Sequence, residues 1–188
     1  MQNSDLQKAI NLAIQEALRN THTITLAKIE TVKEKTIDVL PVISRVVNDE
    51  VVNLPLFTDV PPVFLQGGGS YTAYPLQKGD YCLLLISERC FDDWYHGGDF
   101  KPPLEFRIHD YSDCFALVGI NPLASAITIP NVITHFGDLH IDGNLTVAGD
   151  INATGNITAG EGSGNAVSML NHVHQVASGV YTDAGVDL

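Results

Sequence analysis

From residue 137 to residue 159 the chain repeats every six residues. Gly137-Asp138-Leu139-His140-Ile141-Asp142 is followed by Gly143-Asn144-Leu145-Thr146-Val147-Ala148, then by Gly149-Asp150-Ile151-Asn152-Ala153-Thr154 and Gly155-Asn156-Ile157-Thr158-Ala159-Gly160. Glycine opens each unit, Asp or Asn comes second, and Leu or Ile comes third. A second period lies inside the first: odd positions are glycine or apolar, and even positions are almost all polar. A period of two belongs to extended chain with one dry face and one wet face. The turn glycines Gly137, Gly143, Gly149 and Gly155 mark points where a side chain would not fit or the strand must bend.

A lone strand of this kind can neither satisfy its backbone groups nor bury its apolar row. Three copies wound about a common axis do both. Their edges pair with one another, and Leu139, Ile141, Leu145, Val147, Ile151 and Ile157 become the trimer core. The repeat therefore calls for self-association, with a threefold intertwined β-helix as the natural form. A surface β-meander shares the alternation. The left-handed hexapeptide β-helix of acyltransferases shares the period, but it uses three hexads per coil, so four hexads give little more than one turn. Asp142 and Thr154 also stand where that coil needs a small residue.

Upstream the pattern is different. Residues 4–20 carry Leu6, Ile10, Ala13, Ile14, Ala17 and Leu18 at helical spacing behind Ser4 and Asp5, which can cap. Residues 23–32 and 36–43 flank the charged turn Lys33-Glu34-Lys35 as a hairpin, and 45–47 and 51–54 flank Asn48-Asp49-Glu50 as another. Residues 55–69, rich in proline and glycine, read as an irregular loop, with Gly67-Gly68-Gly69 as its flexible part. Gly79-Asp80 leads into a nearly continuous apolar strand over 81–87. Residues 88–103 are polar and turn-rich, and 115–120 form a last strand. Several short strands in such a length predict a small antiparallel barrel, of which the OB-fold is the commonest type. Asn121-Pro122 and Pro130 bracket a junction.

Charge excludes one class of function. The formal net charge is -12, and no Lys or Arg follows Arg107. A chain that binds nucleic acid by neutralising phosphates needs the opposite balance. No apolar run approaches the ~18 residues of a membrane span. No signal peptide is expected at the N-terminus, and synthesis in a cytoplasm follows. Cys82, Cys90 and Cys114 are odd in number and lack metal-ligand spacing, so reduced, buried thiols are expected. No catalytic constellation is present: Asp92-Asp93 reads as a solvated turn pair, and His96, His109 and His135 read as structural. The chain is not expected to be an enzyme.

His172 and His174 are two apart, so on a strand both imidazoles share a side. One chain offers two nitrogens, whereas three chains about an axis offer six. Octahedral nitrogen suits Fe(II), Co(II) or Ni(II) better than zinc.

An N-terminal β-barrel, a short glycine-repeat stalk and a terminal His-x-His together resemble the central spike proteins of contractile-tailed bacteriophages. Gly79-Asp80-Tyr81-Cys82-Leu83-Leu84-Leu85-Ile86-Ser87-Glu88-Arg89 with Asp92, Asp93 and Trp94 is similar to one branch of that family, as is Arg107-Ile108-His109-Asp110-Tyr111-Ser112-Asp113. The resemblance implies an all-β chain with an N-terminal helix. A docking helix covers 1–20, an OB-fold-like β-barrel 21–122 and a junction 123–136. A hexad-repeat triple-stranded β-helix shaft covers 137–164, and a metal-closed apex 165–188. It implies a homotrimer holding one iron ion, octahedrally, through His172 and His174 of all three chains. It implies partners in the baseplate hub and tail tube through the N-terminal region, a place at the baseplate tip of the virion, and passage through the host outer membrane on sheath contraction. The end of the chain departs from the family, whose tips often follow the histidines with glycines, where Gln175-Val176 stand here. A trimeric tail-fibre adaptor or adhesin stalk is the alternative, but it would end in a bulky aromatic-rich domain, and Tyr181 is the sole aromatic beyond residue 164.

Overall fold

The computed structural model describes residues 2–47, 49–160, 167–169, 175–177 and 180–181. They belong to two units, Met1–Ile129 and Pro130–Leu188. The chain is mostly β, with an N-terminal helix and a nearly closed, barrel-like sheet.

The helix, α1, spans Gln2–Arg19, beginning two residues before the expected start. Arg19 lies in the last turn, where a cation suits the helix dipole. The helix is stopped by its own side chains. The Asn20 amide side chain donates to Glu16 Oε1 at 3.0 Å, and Thr21 Oγ1 donates to the Ala17 carbonyl at 2.8 Å. Leu6, Ile10, Ile14 and Leu18 are all exposed, so the apolar stripe has no cover among the described residues.

The main sheet runs in the order β5-β2-β1-β9-β10-β6. These are β1 (Ile24–Val32), β2 (Ile37–Pro41), β5 (Phe57–Val60), β6 (Pro62–Val63), β9 (Tyr81–Ile86) and β10 (Cys114–Ile120). β1 pairs antiparallel with β2, as the hairpin pattern predicts, and the structure adds antiparallel pairing of β1 with β9 and of β9 with β10. Residues 57–63 then serve both edges at once. β5 pairs with β2, while β6, past Pro61, pairs parallel with β10, whose Ala116 amide donates to the Pro61 carbonyl at 2.9 Å. The interior is filled by Ala27, Ile29, Ile37, Val39, Val60, Cys82, Leu84, Cys114 and Ala116. Alanine and cysteine alternate with branched residues there because a six-stranded barrel is too narrow for large side chains on every strand. All three cysteines are free and buried. Burial pushes the Cys82 and Cys114 thiols up, to about 11 and about 12.

The expectation of an irregular loop over 55–69 is corrected. That stretch holds β5, β6 and β7 (Leu65–Gly67), and β7 pairs with β8 (Ser70–Thr72). Pro61 contributes a carbonyl to the sheet rather than an amide, and Pro62 opens an edge strand, the two places where proline is tolerated. Gly68 and Gly69, with φ of 58° and 81°, form the two-residue turn of a tight hairpin that requires positive φ at both positions. β3 (Arg45–Val47) and β4 (Glu50–Val52) form the second expected hairpin. The polar stretch over 88–103 contains a short helix, α2 (Asp92–Gly97), where only turns were expected.

The β1–β2 turn is tied to β5 by charge. Lys33 Nζ lies 2.6 Å from Asp38 Oδ1 and 2.8 Å from Asp59 Oδ1, and the Asp59 amide donates to Asp38 Oδ1 at 3.0 Å. Hydrogen bonds from Lys33 hold both carboxyls below the ordinary range and raise Lys33. Carboxyls depressed in the folded state contribute stability that is full above their unfolded pKa, near 4. That stability is lost as pH falls through the folded values. The expected result is a melting temperature that drops between pH 5 and pH 3. Asp38→Asn should show a shallower drop by thermal denaturation, and an unchanged slope would count against this linkage.

In the second unit, residues 130–157 form no strand. β11 (Thr158–Ala159) pairs antiparallel with β12 (Val167–Ser168), and β13 (Gln175–Ala177) with β14 (Val180–Tyr181). Among the described residues no helix is long and apolar enough to cross a membrane.

Candidate functional site

In the repeat the single chain leaves its apolar row open to solvent. The six residues assigned to a trimer core are 40–67% exposed: Leu139, Ile141, Leu145, Val147, Ile151 and Ile157. An exposed apolar row of this length, interrupted by the repeat glycines and Ala153, is unusual on a monomer. The glycines carry the same message. Gly137 has φ of 104°, in the left-handed region that favours glycine, but Gly143, Gly149 and Gly155 have ordinary negative or extended backbone. A Cβ added to any of the four would meet nothing within 4 Å. Inside one chain, three of the four glycines have neither a conformational nor a packing reason to be glycine.

The histidine pair assigned to the apex, His172 and His174, lies outside the described residues. Of the other histidines, His109 Nδ1 is 3.1 Å from the His22 carbonyl, and His22 stacks on Tyr111 with ring centroids 3.7 Å apart. Burial and the neighbouring Arg45 lower the His22 pKa. His96 meets Tyr95 edge-on, and His135 Nε2 is 3.3 Å from the Asp138 carbonyl.

The barrel holds one cluster that sequence reasoning missed. Cys90, Asp92 and Asp113 bring a thiol and two carboxylates within reach of one another, as a metal site would. Arg107 fills the centre instead. Its Nε donates to Asp113 Oδ2 at 2.9 Å. Its Nη2 donates to Asp113 Oδ1 at 3.0 Å, Asp92 Oδ2 at 2.8 Å and Cys90 Sγ at 3.2 Å. Its Nη1 donates to Glu105 Oε2 at 2.6 Å. The guanidinium thus uses all its faces, bidentate on the buried Asp113. These bonds raise Arg107 further above its ordinary value and hold Asp92 below the carboxylate range. The knot joins Cys90 and the start of α2 to the loop before β10 and to Asp113, the residue just ahead of β10, and so ties the 88–113 loops to the barrel. An acidic residue just ahead of an apolar strand, six positions after an arginine, was the signal available.

Residues 31–119 match the family model described as Phage protein Gp138 N-terminal domain. The matched stretch runs from the end of β1 almost to the end of β10 and includes the whole Arg107 knot. The match supports a phage protein and suggests a virion component. No curated protein matches the chain.

Proposed function

We propose that the chain is one subunit of a homotrimeric, non-enzymatic central spike at the distal end of a contractile-tail baseplate, driven through the host outer membrane when the sheath contracts. One observation carries this reading. A phage-type barrel is followed by a hexad row whose apolar side chains are exposed and whose glycines are open in the single chain. Three copies around an axis would cover the row and give each glycine a close neighbour. A piercing device needs stiffness rather than turnover. An intertwined shaft supplies it, because no chain can peel away without breaking its pairing to two others. The exposed stripe of α1 fits attachment of the base to the hub and tail tube.

At the apex, His172 and His174 of the three chains would hold one iron ion in octahedral nitrogen coordination. The ion would supply cross-chain ligation where the shaft is thinnest. The His172→Ala/His174→Ala double variant is expected to remain trimeric but to lose its metal, measured by elemental analysis of the purified protein. Full metal content in that variant would remove these residues as ligands.

Native mass spectrometry of the untagged chain tests the whole reading. The expected mass is a trimer plus one iron. A metal-free trimer would keep the needle and discard the iron, and a monomer would overturn the shaft and the function with it.

A further inference from the structure

We propose that the junction of one copy crosses to the next and seats Ile127 in an apolar cavity at the end of that copy's barrel, so that the three chains latch in a ring before the repeat begins. The inference rests on the trimeric reading but concerns residues outside the repeat.

The cavity lies at a break in β10. Gly119 has φ of 101°, which favours glycine, and the register against β9 slips between Val118 and Ile120. Beside this bulge is a cavity of about 200 Å³ lined by Tyr74, Leu76, Tyr81, Val118 and Ile120. Leu76 and Val118 also pack against the buried core, so a side chain seated there would extend that core. A dry cavity of roughly 150 Å³ already holds a benzene-sized guest. Among the described residues, Asp80 is the only charged one on the wall, and its Oδ2 accepts from the Gln77 amide at 2.8 Å.

Just past the last lining residue, Asn121, the chain carries Leu123, Ile127 and Ile129, which are 93%, 81% and 93% exposed. None of the three lines the cavity of its own barrel. Charge points to a second copy as the occupant. Each copy carries a formal charge of -12, so copies repel wherever charged surfaces meet. Residues 114–137 contain no Asp, Glu, Lys or Arg, and neither do residues 60–77. The first stretch supplies the junction and, through Val118 and Ile120, one wall of the cavity. The second supplies Tyr74 and Leu76 on another. Guest and host thus come from the charge-free parts of an acidic chain, where copies meet at least electrostatic cost. Reach allows the crossing: Ile127 is six residues beyond Asn121, a span of up to about 20 Å when extended. In the proposed trimer the three junctions run to one shaft, which brings each within range of its neighbour.

Disulfide trapping in the full chain tests this. Tyr74→Cys/Ile127→Cys places one thiol at the cavity and one on the guest. Diamide oxidises the two thiols to a disulfide and is itself reduced to the hydrazine. The native cysteines are buried and stay out of the reaction. The expected product on a non-reducing denaturing gel is a covalent trimer that returns to single chains on reduction, with no linked species from either single variant. A link within one chain would show the junction folding back on its own barrel and overturn the latch. Links from Ile127→Cys alone would bring the three guests together instead, and overturn it too. Native mass spectrometry of the unoxidised protein separates the two readings: a trimer that does not link overturns the latch alone, and a monomer overturns the trimer with it. Should the double variant fail to fold, Ile127→Cys alone decides. Its thiol is expected to react with a maleimide at least roughly tenfold more slowly than Val51→Cys on the exposed β3–β4 hairpin, and equal rates overturn the latch.

Discussion

Arg107→Met is expected to lower the stability of the barrel by about 3 kcal/mol, the lower end of what breaking a buried ion pair costs. The substitution keeps the stem and removes the charge. Asp113, only 1% exposed, is then left as a buried carboxylate without its bidentate partner, and Asp92 and Cys90 lose the same donor. For a unit of this size the loss corresponds to a fall in melting temperature on the order of 10 °C or more, read by far-UV circular dichroism. Removing the stranded charge as well, in Arg107→Met/Asp113→Leu, should recover much of the loss, since an apolar replacement of a buried pair is often near neutral. A single variant that melts with the parent would mean that the knot is decoration on loops held by other contacts.

The second large effect is expected in the shaft. Ile151→Asp should abolish the trimer, whereas Asn152→Asp, one residue on, should leave it intact. In the proposed assembly Ile151 faces the axis, so each trimer loses the burial of three side chains, about 1.5–3 kcal/mol apiece. It also gains three carboxylates converging in an apolar core, where desolvation and mutual repulsion add to the loss. Asn152 lies on the wet face, where another charge costs little. Native mass spectrometry of the pair decides the matter. Equal behaviour of the two variants would show that the period of two does not mark an inside and an outside.

Local order was legible in the sequence wherever one strong pattern governed. The spacing of Leu6, Ile10, Ile14 and Leu18 marked α1, and the turn at Lys33-Glu34-Lys35 marked the β1–β2 hairpin. The run from Tyr81 to Ile86 marked β9. What escaped was non-local. Pro61 and Pro62 looked like interruptions because their use depends on β10, more than fifty residues later, presenting Ala116 to the Pro61 carbonyl. Gly68-Gly69 looked like slack because a two-glycine turn is visible only when Gly67 is seen to pair with Ser70. Cys90, Asp92, Arg107 and Asp113 are unremarkable until three loops fold over one guanidinium. The repeat is the reverse case. Its pattern is plain in the sequence, but in the proposed trimer the surfaces that would explain it belong to other copies.

The double duty of residues 57–63 also sets an order of events during synthesis. β6 pairs with β10, so the barrel cannot shut until Ile120 has left the ribosome, with the first repeat glycine close behind. Non-local pairing of this kind is slow to form. Each nascent chain therefore exposes its repeat row only once its own barrel is nearly able to close. In the proposed trimer, this order alone would limit premature entanglement of half-made chains.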